Sequence, residues 1–110
     1  MRNVLGDTER FFAQRRPGTG FETIYTAKGG EILYYINVAN VNQADCRWYF
    51  CISTGNKPYR KSNAIVWAEN LSANDNDVWG YQIPLMAGQK IGVRSSEAGA
   101  ITFTVYGTFA

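Results

Sequence analysis

The segment Ala100-Ile101-Thr102-Phe103-Thr104-Val105-Tyr106-Gly107-Thr108-Phe109 constrains this chain more than any other. Its apolar residues recur at every second position, with threonine and tyrosine between them. That is the period of a strand with one buried and one wet face, and a helix of 3.6 residues per turn would scatter the same residues around its circumference.

Six further segments read the same way: Glu22–Ala27, Glu31–Asn40, Cys46–Thr54, Ala64–Asn70, Val78–Leu85 and Lys90–Ser95. Ile32, Tyr34, Ile36 and Val38 are expected on one face, and Trp48, Phe50 and Ile52 on another. Ile91 and Val93 form a third set, with Arg47 and Arg94 turned away. Lys28-Gly29-Gly30 and Glu97-Ala98-Gly99 have hairpin length, and Met86–Gln89 is another tight connection. Gly55–Asn63 and Leu71–Asp77 are the long loops. About seven strands with no helix between them predict an all-β fold, an antiparallel β-sandwich of jelly-roll type.

Ahead of the strands, Asp7–Arg16 carries helix signals: Asp7 or Thr8 to cap, Glu9 in the first turn, Arg15 and Arg16 in the last, and Pro17 as a stop. A helix of two turns is marginal alone and must dock or remain an arm. The expected organisation is an N-terminal arm over residues 1–20 and a sandwich domain over 21–110.

With 110 residues the chain suits one domain, and its 15% aromatic content predicts an aromatic-rich core. A net charge of +2 is too small to argue for a nucleic-acid partner. There is no apolar run of membrane-spanning length and no apolar stretch after Met1 of the secretory kind. The expectation is a soluble protein made in a cytoplasm, with no membrane partner. Cys46 and Cys51, five apart in one strand, point to opposite faces and read as reduced packing residues.

The chain contains no histidine, so serine or cysteine triads lack their usual base and a zinc site its usual ligand. No enzyme activity and no cofactor are expected. Asp75 and Asp77, with Glu69 near in sequence, invite carboxylate or calcium chemistry. Asn74–Asp77 reads more simply as a turn, where Asn and Asp side chains bond the local backbone. Partner contacts are expected from Arg10, Arg15 and Arg16 as polar groups and from Phe11 and Phe12 as apolar anchors. Lys57, Arg60 and Lys61 form a second, basic loop patch, and Lys57, Tyr59 and Arg60 are its expected contact residues, Tyr59 either packing onto the sheet or stacking on a ligand.

The wording of several strands, Ile24-Tyr25-Thr26, Ala64-Ile65-Val66-Trp67, Pro84–Val93 and Ile101–Gly107, resembles small all-β structural proteins of tailed bacteriophage virions. The resemblance covers about residues 22 to 107 and implies a decoration or cement protein, a head fibre or a tail accessory. Its implied partners are the major capsid protein or neighbouring virion proteins. It further implies a homo-oligomer, a trimer favoured, located in the virion after synthesis in the host cytoplasm. The uncharged segment Ala100–Phe109, taken as an exposed sheet edge, points to self-association as well. A tail-fibre or receptor-binding domain holding a host surface glycan is the alternative, and a five-stranded oligonucleotide-binding barrel fits less well.

Overall fold

A computed structural model describes residues 10–109, with side chains from residue 13 onward. It contains eight strands: β1 Arg10–Arg15, β2 Glu22–Thr26, β3 Ile32–Asn40, β4 Cys46–Thr54, β5 Ala64–Leu71, β6 Asn76–Pro84, β7 Gln89–Ser95 and β8 Ile101–Thr108. The one helical element among the described residues is a 3-10 turn at Lys61–Asn63. No helix of the described residues is long and apolar enough to cross a membrane.

Two four-stranded antiparallel sheets pack face to face, with strand orders β1-β8-β3-β6 and β2-β7-β4-β5. This is the order of an eight-stranded jelly roll, and the all-β sandwich read from the sequence is correct. Leu33, Ile36, Val38, Trp48, Phe50, Val93, Ile101, Phe103 and Val105 are fully buried between the sheets, and Ile91 is 1% exposed. Each such side chain contributes about 1.5–3 kcal/mol on leaving water. Trp48 meets Trp79 edge-on at 5.5 Å and Phe103 at 6.0 Å, which makes the aromatic centre of that core.

Four local expectations are corrected. The described part of Asp7–Arg16 is strand rather than helix, because Arg10–Arg15 pairs with β8 from Arg10↔Gly107 to Arg15↔Phe103; Asp7–Glu9 lie outside the described residues. The capping and charge signals are local, whereas pairing with a neighbouring strand satisfies the backbone donors and acceptors over a longer contact.

In β3 a register shift between Leu33 and Tyr35 breaks the alternation. Leu33 therefore joins Ile36 and Val38 in the core while Ile32 and Tyr34 stay half-buried. An extra residue in a strand moves every earlier side chain to the opposite face.

The two glycine-rich turns are not hairpins: β2–β3 and β7–β8 each cross between sheets, as does β6–β7. Of the chain-adjacent strands only β4 and β5 pair with each other, across the long loop at residues 55–63. Nor is Ala100–Phe109 an edge. It is the interior strand β8, flanked by β1 and β3, and its inward positions are uncharged because they are core.

Candidate interaction surfaces

Of the side chains expected to contact a partner, Arg15, Arg16 and Tyr59 are engaged within the subunit. Arg10, Phe11 and Phe12 lie on β1 by their backbone, and their side chains are outside the described set. Arg15 pairs with Glu22 through Nη1 at 2.9 Å, and Arg16 Nε donates to the Gly99 carbonyl at 2.6 Å. Gly18 N also donates to Glu22 at 2.8 Å; that bond and the Arg15 guanidinium hold the Glu22 carboxyl below its usual range.

Arg16 thus sits beside the β7–β8 turn, whereas Lys57, Tyr59 and Arg60 follow Thr54, which pairs with Gln89 at the start of β7. The loop nevertheless folds back along the sheet: Tyr59 reaches Gly92 in the middle of β7 and bonds Thr23, the residue after Glu22, to which Arg15 is paired.

Tyr59 packs back onto its own sheet. Its ring lies over Gly92, where the absence of a side chain makes the space, and its hydroxyl shares a 2.7 Å hydrogen bond with Thr23 Oγ1. Burial pushes that hydroxyl above its ordinary value, against the Thr23 bond.

Tyr59 belongs to an aromatic cluster that the sequence reading missed. Phe21 is 5.5 Å from Tyr59 and 6.1 Å from Trp67, ring centre to ring centre, and Trp67 meets Tyr49 edge-on at 4.9 Å. The Arg94 guanidinium lies 4.1 Å from the Tyr49 centroid and 5.5 Å from that of Phe21, and Lys90 Nζ is 5.2 Å from that of Tyr59. Cations over ring faces are attracted by the ring quadrupole. The outward turn of Arg94 is visible in the sequence. Cross-strand pairing with Tyr49 and the return of Phe21 across the sheet are not.

The two outer faces are unlike. On the β2-β7-β4-β5 sheet, Lys90 and Arg94 lie over aromatic rings while exposed Arg47 donates to the Ala68 carbonyl, and the chain covers this face with its own Phe21 and Tyr59. On the β1-β8-β3-β6 sheet, outward positions are Asn37 and Ala39 on β3, Val78, Gly80 and Gln82 on β6, and Thr102, Thr104 and Tyr106 on β8. Tyr35 stacks on Tyr106 at 4.6 Å, and Gln14 donates to Thr104 Oγ1 at 3.0 Å. None of these side chains is charged, and Val78 is 56% exposed.

The remaining candidates have local explanations. Asp75 and Asp77 accept from the backbone N–H groups of Asn76 and Val78, both at 2.9 Å, and Asp77 also accepts from Trp79 Nε1. No group of three His, Cys, Asp or Glu among the described residues is placed to hold a metal ion. Cys46 and Cys51 are free thiols, both buried, and burial pushes Cys51 up to about 11.

No protein-family model matches the chain, and a search of curated proteins returns no match. Among solved structures, it is similar to Eiger TNF from S. frugiperda with a TM-score of 0.54 and 10% identity, over 99% of this chain and 88% of that one. It is also similar to a chain in the structure of infectious bursal disease virus Gx strain, with a TM-score of 0.48 and 12% identity, over 91% of this chain and 33% of the other. At such identities the first likeness is one of fold alone.

Proposed function

We propose that this chain is a structural subunit of a virion, a decoration protein of a phage shell that acts by surface contact. The observation that carries the reading is that, among the described residues, the outward side chains of β8, β3 and β6 carry no charge. A small domain in water ordinarily places Lys, Glu, Asp or Arg on an outer sheet face, which keeps it soluble and blocks association. Asn37, Ala39, Val78 and Thr102 instead offer small, uncharged groups that a second protein surface covers at little desolvation cost. The resemblance of strands β2, β5, β7 and β8 to phage virion proteins supplies the setting.

The mechanism is mechanical. Two sheets with a shared core make a stiff unit, and binding to an assembled shell but not to its separated subunits stabilises the shell by mass action. The same face serves contact between copies of the chain.

Val78→Lys and Thr102→Lys together place two charges on that face without touching the core. Light scattering is expected to show an oligomer for the parent chain and a monomer for the variant, with loss of binding to purified particles. An unchanged mass and unchanged particle binding would refute the reading.

A further inference from the structure

The loop joining β4 to β5 borders a shallow, open hollow of about 480 Å³, lined by Lys57, Pro58, Arg60, Ser62 and Asn63. Its backbone is held by internal bonds. Ser53 Oγ donates to the Lys57 carbonyl at 2.5 Å, Asn63 Nδ2 to the Pro58 carbonyl at 3.0 Å, and Arg60 N to Asn63 Oδ1 at 3.0 Å. Asn63 N closes the 3-10 turn on the Arg60 carbonyl at 3.1 Å. With the backbone groups so engaged, the loop is fixed while Lys57, Arg60 and Ser62 stay exposed around the hollow.

Two cations share this hollow, no carboxylate lines it, and among the described residues neither Lys57 nor Arg60 has an ion-pair partner. Like charges carried around one concavity by a fixed backbone repel, and an anion seated between them relieves that repulsion while accepting charge-assisted hydrogen bonds. The volume falls within the range of small-molecule sites, roughly 300–1,000 Å³, and exceeds what a lone oxyanion fills. Ser62 adds a hydroxyl, the Asn63 side chain a further polar group, and Pro58 an apolar wall, which suits a ligand with a polar body as well as a charge.

We propose that this cavity binds an acidic saccharide unit, its carboxylate or sulfate between Lys57 and Arg60 and its ring hydroxyls against Ser62 and Asn63. The site lies on the β4–β5 loop, away from the uncharged sheet face, and is independent of the assembly reading.

The test titrates the protein with glucuronic acid, glucose 6-sulfate, glucose and sodium sulfate at constant ionic strength, read by chemical-shift changes of backbone amides. Saturable shifts centred on residues 57–63 are expected with the two acidic sugars and not with glucose. Lys57→Ala with Arg60→Ala should weaken that binding at least about tenfold, the loss of two charge-assisted contacts. Lys28→Ala with Arg47→Ala removes the same net charge away from the cavity and should leave binding within about twofold of the parent. Absence of saturation, or equal weakening by both double variants, would overturn the site. Inorganic sulfate binding as tightly as glucose 6-sulfate would overturn the saccharide assignment.

Discussion

Gly92→Ala tests whether Tyr59 is fixed on the outer sheet face. A Cβ built on Gly92 falls on the Tyr59 ring, 2.5 Å from Cδ1 and from Cζ, so the ring and the methyl cannot share the space. Gly92 does not occupy left-handed backbone, so alanine is tolerated there by the main chain and the contact alone sets the cost. Overpacking of this kind costs about 1–3 kcal/mol. In a Tyr59→Ala background the space is open, and alanine for glycine inside a strand gains about 0.5–1 kcal/mol. Tyr59→Ala alone loses a ring pair with Phe21 and the hydroxyl bond to Thr23, together about 2 kcal/mol. Gly92→Ala therefore changes sign between backgrounds, with a coupling of about 1.5–4 kcal/mol. Urea unfolding of the four proteins, followed by tryptophan fluorescence, measures it. An equal cost of Gly92→Ala in both backgrounds would show that Tyr59 does not occupy this position.

Glu31 is 2% exposed, and its carboxylate accepts from the Tyr25 hydroxyl at 2.6 Å, Lys28 N at 2.8 Å and Gly29 N at 2.7 Å. Burial raises its pKa, but those bonds together outweigh burial and hold it below the usual value. A carboxyl with a lowered folded pKa adds stability above its unfolded pKa and loses it as pH falls through the folded one. Glu31→Gln should cost about 2 kcal/mol at pH 7 and flatten the fall in urea midpoint between pH 6 and 2; a parallel curve would refute the assignment. Ala68 has φ of 57° in edge strand β5, so Ala68→Gly should raise stability by about 0.5–1 kcal/mol, and a lower melting temperature would count against strain there. Cys51, buried and raised to about 11, should resist iodoacetamide at pH 7.5 in the native protein and react once urea unfolds it. Labelling of Cys51 in the folded state by mass spectrometry would contradict its burial.

The strands were legible because alternation is local: from Glu22 on, each expected segment has a strand within a residue or two of its place. Partners were not legible, since they depend on which distant strand lies alongside. Lys28-Gly29-Gly30 illustrates this. A turn of that length suits a hairpin, but Glu31 gathers the N–H groups of Lys28 and Gly29, and Leu85 N bonds the Glu31 carbonyl at 2.8 Å. Glycines at φ of 110° and 89° then let the chain pass from one sheet to the other. The same limit explains β8: freedom from charge marks either an edge inviting association or a strand buried on its inner face, and the sequence period is identical for both. For the surfaces, Lys57, Tyr59 and Arg60 were legible as a basic loop. The cluster around Arg94 was not, because Phe21, Tyr49 and Trp67 come from three separate parts of the chain.

These assignments move the expected contact surface within the molecule. A basic arm was the natural attachment device in the sequence, yet its described part is paired along β8, with Arg15 held by Glu22 and Arg16 by Gly99. An Arg already bonded at home gains less from a partner, because the new contact must first replace the old one. The β2-β7-β4-β5 sheet faces a similar cost, since binding over it displaces Phe21 and Tyr59 from rings and cations they already touch. Asn37, Ala39, Val78 and Thr102 present neither charge to desolvate nor an ion pair to break. Association through that sheet should accordingly be insensitive to salt, whereas attachment through the arginines would weaken steeply between 0.05 and 0.5 M, roughly from a Debye length of 14 Å to 4 Å. Sedimentation of the protein across that salt range tests for association and separates the two, and an oligomer that dissociates at high salt would return the contact to the arm.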